Sequence, residues 1–167
     1  LGISADKKII LHTGNLGAHM GSHQLVHSTC DWPNDWVLVC HTRLRFTEVE
    51  RNYMAALRYL AAPDRVLFST EPVPQAEYAN LGCSAVIGVA VDCPTPGSNL
   101  WGDNIRTIGL SSGKFAACQE AGIPVLVNDV PSLRRLTEAY GCGAWTSDPF
   151  LTRSGIECIL ANYDTCC

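Results

Sequence analysis

The chain has 167 residues, 47% hydrophobic and 17% charged, which suits one compact domain with a buried core and excludes disorder as its resting state. The 16 Asp and Glu against 12 Lys and Arg leave a formal net charge of −4, the wrong sign for a protein whose main partner is nucleic acid. Its longest apolar stretches reach about eight residues, well short of the roughly 20 a bilayer-crossing helix needs.

Apolar runs and helical spacing alternate along the chain. Residues 7–13 form a short apolar run stopped by Gly14, and residues 35–40 form another; both predict buried strands. Residues 20–30 between them suit a helix with Leu25 and Val26 inward. Residues 47–62 place Val49, Tyr53, Ala56, Leu57 and Leu60 at helical spacing. Thr47 and Glu50 make a capping-box signature at its start, and Pro63 stops it. A third strand is expected at 65–69, a short helix at 74–81 closed by Gly82, and a fourth strand at 84–91 that is apolar on both faces. Residues 93–104 form a loop with two prolines and two glycines. A helix at 111–121, a strand at 123–127, a helix at 131–140, a brief strand at 144–146 and a terminal helix complete the chain. The fold class this predicts is α/β: a Rossmann-like, doubly wound parallel sheet of about six strands in a single domain over residues 1–167.

Nine cysteines stand at 30, 40, 83, 93, 118, 142, 158, 166 and 167, with no C-x-x-C pair and an odd count. Cys40, Cys118 and Cys158 lie within apolar runs, where a free thiol behaves as a small hydrophobe. A reducing, cytoplasmic location is therefore expected. The chain opens without Met, and we read it as a piece of something larger.

Two segments carry anion-binding chemistry. Gly14-Asn15-Leu16-Gly17 follows the first strand, where glycines allow close backbone approach and N–H groups attract phosphate. It is not G-x-G-x-x-G, and Cys40-His41-Thr42-Arg43 ends strand two where a dehydrogenase would carry an acidic residue, so a dinucleotide cofactor is not expected. Gly109-Leu110-Ser111-Ser112-Gly113-Lys114 enters the helix after strand four and combines backbone donors, helix dipole and a cation. A structural turn, a serine cap and a solvated lysine are the plainer alternatives for both segments. In a Rossmann strand order, strands one and four are neighbours, so the two loops converge at one switch point. His19, His23 and His27 repeat at i, i+4 and i+8, but no acidic or Cys ligand is tied in by spacing, and no metal is expected.

From strand three onward, five segments together resemble the C-terminal domain of GT-B glycosyltransferases. They are Val66-Leu67-Phe68, residues 74–80, residues 83–88, Ser112-Gly113-Lys114-Phe115 and residues 121–127. Residues 9–14 and 141–145 extend the resemblance over nearly the whole chain, and its most specific part runs from Lys114 to Val127. The resemblance implies a domain that binds a nucleotide-sugar donor as substrate, with no separate cofactor. Its donor-binding residues would be Gly14, Asn15, Gly17, Ser111, Ser112, Gly113 and Lys114, and the base would lie near residues 69–73. An N-terminal acceptor domain would be missing, and peripheral membrane contact would come through that half. The retaining branch often carries two glutamates eight residues apart; the matching positions here are Gly109 and Ala117. The family's basic pair after the first glycine loop is also absent, which leaves Lys114 and Arg43 as candidate catalytic cations. A non-catalytic Rossmann-like binding module and half of a nucleotide-sugar epimerase are the alternative readings.

Overall fold

The computed structural model describes residues 2–42 and 47–166. In chain order the elements are β1 (Lys8–Thr13), α1 (Ser22–Ser28), β2 (Trp36–His41), α2 (Glu48–Leu60), β3 (Val66–Ser69), α3 (Tyr78–Cys83) and β4 (Ile87–Ala90). There follow α4 (Asn104–Arg106), α5 (Gly113–Glu120), β5 (Val125–Asn128), α6 (Pro131–Tyr140), β6 (Gly143–Thr146), α7 (Arg153–Ala161) and α8 (Tyr163–Cys166). All six strands are parallel, in the order β3-β2-β1-β4-β5-β6. This is the doubly wound Rossmann-like arrangement, with its direction of winding reversed between β1 and β4.

Each strand feeds both faces of the sheet. Ile10, Leu38, Ile87 and Leu126 point into one core layer with Leu25 and Val26 of α1, Leu57 of α2 and Ile156 and Ile159 of α7. Leu11, Val39, Ala90 and Val127 point into the other with Ile105 of α4, Phe115 and Cys118 of α5 and Leu133 of α6. Burial on both sides explains why the strands read as continuous apolar runs rather than alternating ones. Among the described residues, no helix is long and apolar enough to cross a membrane.

Helix ends follow local chemistry. At α2 the Thr47 hydroxyl accepts from the Glu50 N–H at 3.3 Å, and the Glu50 carboxylate accepts from the Thr47 N–H at 2.7 Å, forming the capping box that the spacing predicts. Pro131 opens α6, and Gly141 ends it at φ 62°. Gly82 behaves differently from expectation: α3 continues through it to Cys83. A side chain there would overlap the Cβ of Ala121, so this glycine lets α3 approach the end of α5 instead of stopping a helix. The helix expected over 20–30 is the seven-residue α1 flanked by 3-10 turns at Ala18–Met20 and Thr29–Asp31. The expected loop over 93–104 winds into a wide π-type turn at Asn99–Asp103 leading into α4.

Gly88 sits mid-β4, hydrogen-bonded through its N–H to the Pro124 carbonyl at 2.9 Å, where any Cβ would overlap the Cys118 sulfur of α5. Gly88→Ala should therefore destabilise the fold by about 1–3 kcal/mol through overpacking, read as a lower urea midpoint at unchanged slope.

Candidate functional site

The reversal between β1 and β4 opens a cleft of about 350 Å³ at the carboxyl edge of the sheet. Thr13, Gly14 and Asn15 line it from the end of β1, and Ser112, Gly113 and Lys114 line it from the start of α5. Asp92 lies beneath, two residues beyond β4, while Met20, Tyr78 and Ile108 form walls.

The β1 loop is built by glycine at one point. Gly14 has φ 99°, a conformation that L side chains rarely adopt, and its N–H closes onto the His41 carbonyl at 3.0 Å. Leu16 is buried and pins the loop to the core. Gly17 does not line the cleft; its N–H donates to the Ser22 hydroxyl at 3.1 Å, so it braces the entry to α1. On the facing side, the Ser112 hydroxyl accepts from the Phe115 N–H at 3.4 Å and caps α5. The N–H groups of Gly113 and Lys114 lie in the first helical turn, where no intrahelical acceptor exists, and the helix dipole adds positive potential there. A side chain added at Gly113 would meet nothing within 4 Å, so the helix start opens onto free space. Ser111 is exposed and outside the cleft lining, with its N–H bonded to the Ile108 carbonyl at 2.8 Å.

Lys114 is neither solvated nor unpaired. Its stem passes Gly14, whose hypothetical Cβ would lie 4.0 Å from the lysine Cγ. Its side chain is 10% exposed, and Nζ donates to Asp92 Oδ1 at 2.8 Å and to the Val91 carbonyl. The Met20 sulfur lies 3.5 Å away on a third side. Burial lowers the lysine's proton affinity, and the Asp92 carboxylate works against that shift.

Asp92 itself is held by Asn128 of β5. Its N–H donates to Asn128 Oδ1 at 3.0 Å, and its carbonyl accepts from Asn128 Nδ2 at 2.7 Å. Asp92 is the residue that the motif-based reading passed over. The signal was present: a lone carboxylate directly after the apolar run of strand four, at the sheet edge where such folds bind ligands.

Sequence comparison with family models finds no match, and no curated protein matches either. Similarity appears at the level of structure. Sucrose-phosphate synthase from Thermosynechococcus elongatus superposes with a TM-score of 0.69 at 18% identity, over 98% of this chain and 39% of that one. HepE from Anabaena, in complex with UDP and glucose, gives 0.68 at 15% identity, over 96% of this chain and 41% of that one. The C-terminal domain of a group 1 family glycosyl transferase, LpcC from Francisella tularensis, gives 0.65 at 9% identity, over 95% of this chain and 77% of that one. The fold is that of a GT-B glycosyltransferase half. The chain thus spans about two fifths of the length of the first two structures.

Within this fold, the other candidates that fall among the described residues lie outside the cleft lining. Arg43 lies outside the described residues. Residues 69–73 run on from the last residue of β3, two strands away from β1, and Ser69 is engaged with the His41 ring at 3.0 Å. The three spaced histidines do not share one helical face: His19 precedes α1 and stacks on Trp101 at 4.0 Å, while His23 and His27 meet Phe150 edge-on. Gly109 and Ala117 stand at both positions where the resemblance would place a glutamate. The Gly109 N–H donates to the Ser132 hydroxyl at 3.0 Å.

His12 is fully buried at the end of β1, with Nδ1 3.4 Å from the Val89 carbonyl. Burial, and then the Lys114 charge, push its pKa down to about 3. The unfolded chain protonates this imidazole below about 6.5, so it binds more protons than the folded state between about 6.5 and 3. The stabilising contribution is therefore complete above that window and lost as pH falls through it. His12→Gln should flatten the acid limb of a stability-against-pH curve from urea melts by up to about one proton's slope. An unchanged limb would show that the imidazole is not buried neutral.

Proposed function

We propose that this cleft binds the diphosphate of a nucleotide-sugar donor, and that the chain is the donor-binding half of a glycosyltransferase. The reading rests on one observation: the β1 loop and the start of α5 face each other across a single cleft with Lys114 between them. The GT-B fold and the nucleotide carried by HepE support it. Gly14, Asn15, Ser112 and Gly113 would approach the phosphate oxygens, with Gly17 and Ser111 shaping the two loops behind them. Arg43 would supply a second cation. An acceptor-binding half would close the active cleft, so the isolated chain is expected to bind donor and turn over little.

Glycosyl transfer breaks the bond between the sugar's anomeric carbon and the diphosphate as an acceptor oxygen attacks. The nucleotide departs with the bonding electrons, and fixed N–H dipoles and an ammonium at the departing oxygens stabilise that charge. Lys114 can serve without leaving Asp92. An ammonium has three N–H donors, of which Asp92 and Val91 take two; the third faces the Met20 sulfur, a weak acceptor that a phosphate oxygen outcompetes.

Calorimetric titration with UDP, GDP, ADP and the corresponding nucleosides tests the reading. Saturable binding that depends on the diphosphate is expected, and Lys114→Ala should weaken diphosphate binding roughly 10-fold or more while leaving the nucleoside nearly unaffected. Equal losses for nucleoside and diphosphate would refute the Lys114 role. Silence toward all three nucleotides would favour a non-catalytic binding module.

A further inference from the structure

Asp92 carries an oxygen with nothing to do. Its Oδ1 is committed to Lys114, whereas Oδ2 is buried and has no hydrogen-bond partner among the described residues. The residue is 1% exposed, yet it lines the 350 Å³ cleft. A carboxylate oxygen removed from water without a donor is costly, so such an atom on a residue that lines a ligand-sized opening calls for a donor from the ligand.

The character of that donor follows from the neighbours. A carboxylate accepts hydrogen bonds and does not give them, and it repels phosphate. Beside it, Lys114 and the first turn of α5 favour the anionic part of a ligand. The part of the same ligand that reaches Oδ2 must then be a hydrogen-bond donor, and in a nucleotide sugar the donors that flank the diphosphate are the hydroxyls of the hexose and the ribose. Among the described residues, no other one lining the cleft offers a carboxylate. The double hydrogen bond from Asn128 fixes the Asp92 backbone at the edge of the sheet, which keeps the acceptor in place before any ligand arrives.

We propose that Asp92 is the hydroxyl-recognising residue of this site: Oδ1 steadies Lys114 against the diphosphate while Oδ2 accepts a hydrogen bond from a hydroxyl of the donor's hexose or ribose. The assignment rests on the diphosphate reading above. It makes one buried ion pair read both halves of a nucleotide sugar, the anion through its lysine and the sugar through its aspartate.

The test is a thermodynamic cycle on the whole chain. Dissociation constants are measured for UDP-glucose and GDP-mannose, for the 2-, 3-, 4- and 6-deoxyhexose analogues of whichever binds, and for the 2′- and 3′-deoxy forms of its nucleoside diphosphate. Wild-type protein should bind one analogue roughly 10- to 100-fold more weakly than its parent, the effect of losing a hydrogen bond to a charged group. A hexose analogue or a ribose analogue identifies which sugar Asp92 reads. In Asp92→Asn that penalty should shrink to within about threefold. Should the Asn variant fail to fold, Asp92→Glu keeps a negative charge opposite Lys114 while shifting the acceptor by one methylene, and the same penalty should again shrink. Two results overturn the assignment: no deoxy analogue weaker than its parent in wild type, or a penalty that persists undiminished in the folded variant. Absence of UDP, GDP and ADP binding altogether overturns the diphosphate reading instead, so the two failures are separable.

Discussion

The reversal of winding between β1 and β4 is the constraint on which the rest of this molecule depends. In an all-parallel sheet, every strand delivers its following loop to the same edge, and only where the winding changes direction do two neighbouring loops turn away from each other and leave room between them. Here that gap receives the Gly14 turn from one side and the start of α5 from the other. Nothing in either loop alone makes a cleft. The pairing of Ile10 with Ile87 and Leu11 with Gly88 in adjacent strands does, because it fixes the spacing from which both loops depart.

Electrostatics then concentrate where the sheet opens. Lys114 and Asp92 form a buried pair at the crest of β4, with His12 and His19 close enough that the lysine's charge lowers the proton affinity of both imidazoles after burial has done so. Taking both charges out of water costs several kcal/mol per ion, and their mutual attraction offsets this only with well-placed additional hydrogen bonds. The Val91 carbonyl supplies one for the lysine; the second aspartate oxygen has none among the described residues. An ion pair left incomplete at a residue that lines a cleft differs from a purely structural one, in which every polar atom would be satisfied.

Glycine divides its work between backbone freedom and close packing, and the two are hard to separate in a string of letters. Gly14 and Gly141 hold left-handed or related conformations that other residues resist. Gly82 and Gly88 stand where a neighbouring helix comes too near for a side chain: Ala121 in one case, Cys118 in the other. The first kind punctuates the chain and is readable from local pattern. The second reflects a contact with residues 39 and 30 positions away, which is why Gly82 reads as a helix stop and acts as a packing site.

Strand count, parallel order, the capping box at Thr47, the Pro131 and Gly141 limits of α6 and the meeting of the two glycine-bearing loops all follow from periodicity and turn chemistry. These are properties of short segments and of the few topologies that parallel strands permit. The environment of Lys114 did not follow. Local pattern places it at a helix start and suggests a solvated or ligand-facing cation, whereas the fold carries its stem over the edge of the sheet to a carboxylate twenty-two positions earlier. The separation of His19 from His23 and His27, the bracing role of Gly17 and the clasp of Asn128 on Asp92 share that cause. Burial and partner choice depend on distances between elements, and those distances exist only once the sheet is assembled and its two helical layers have closed over it.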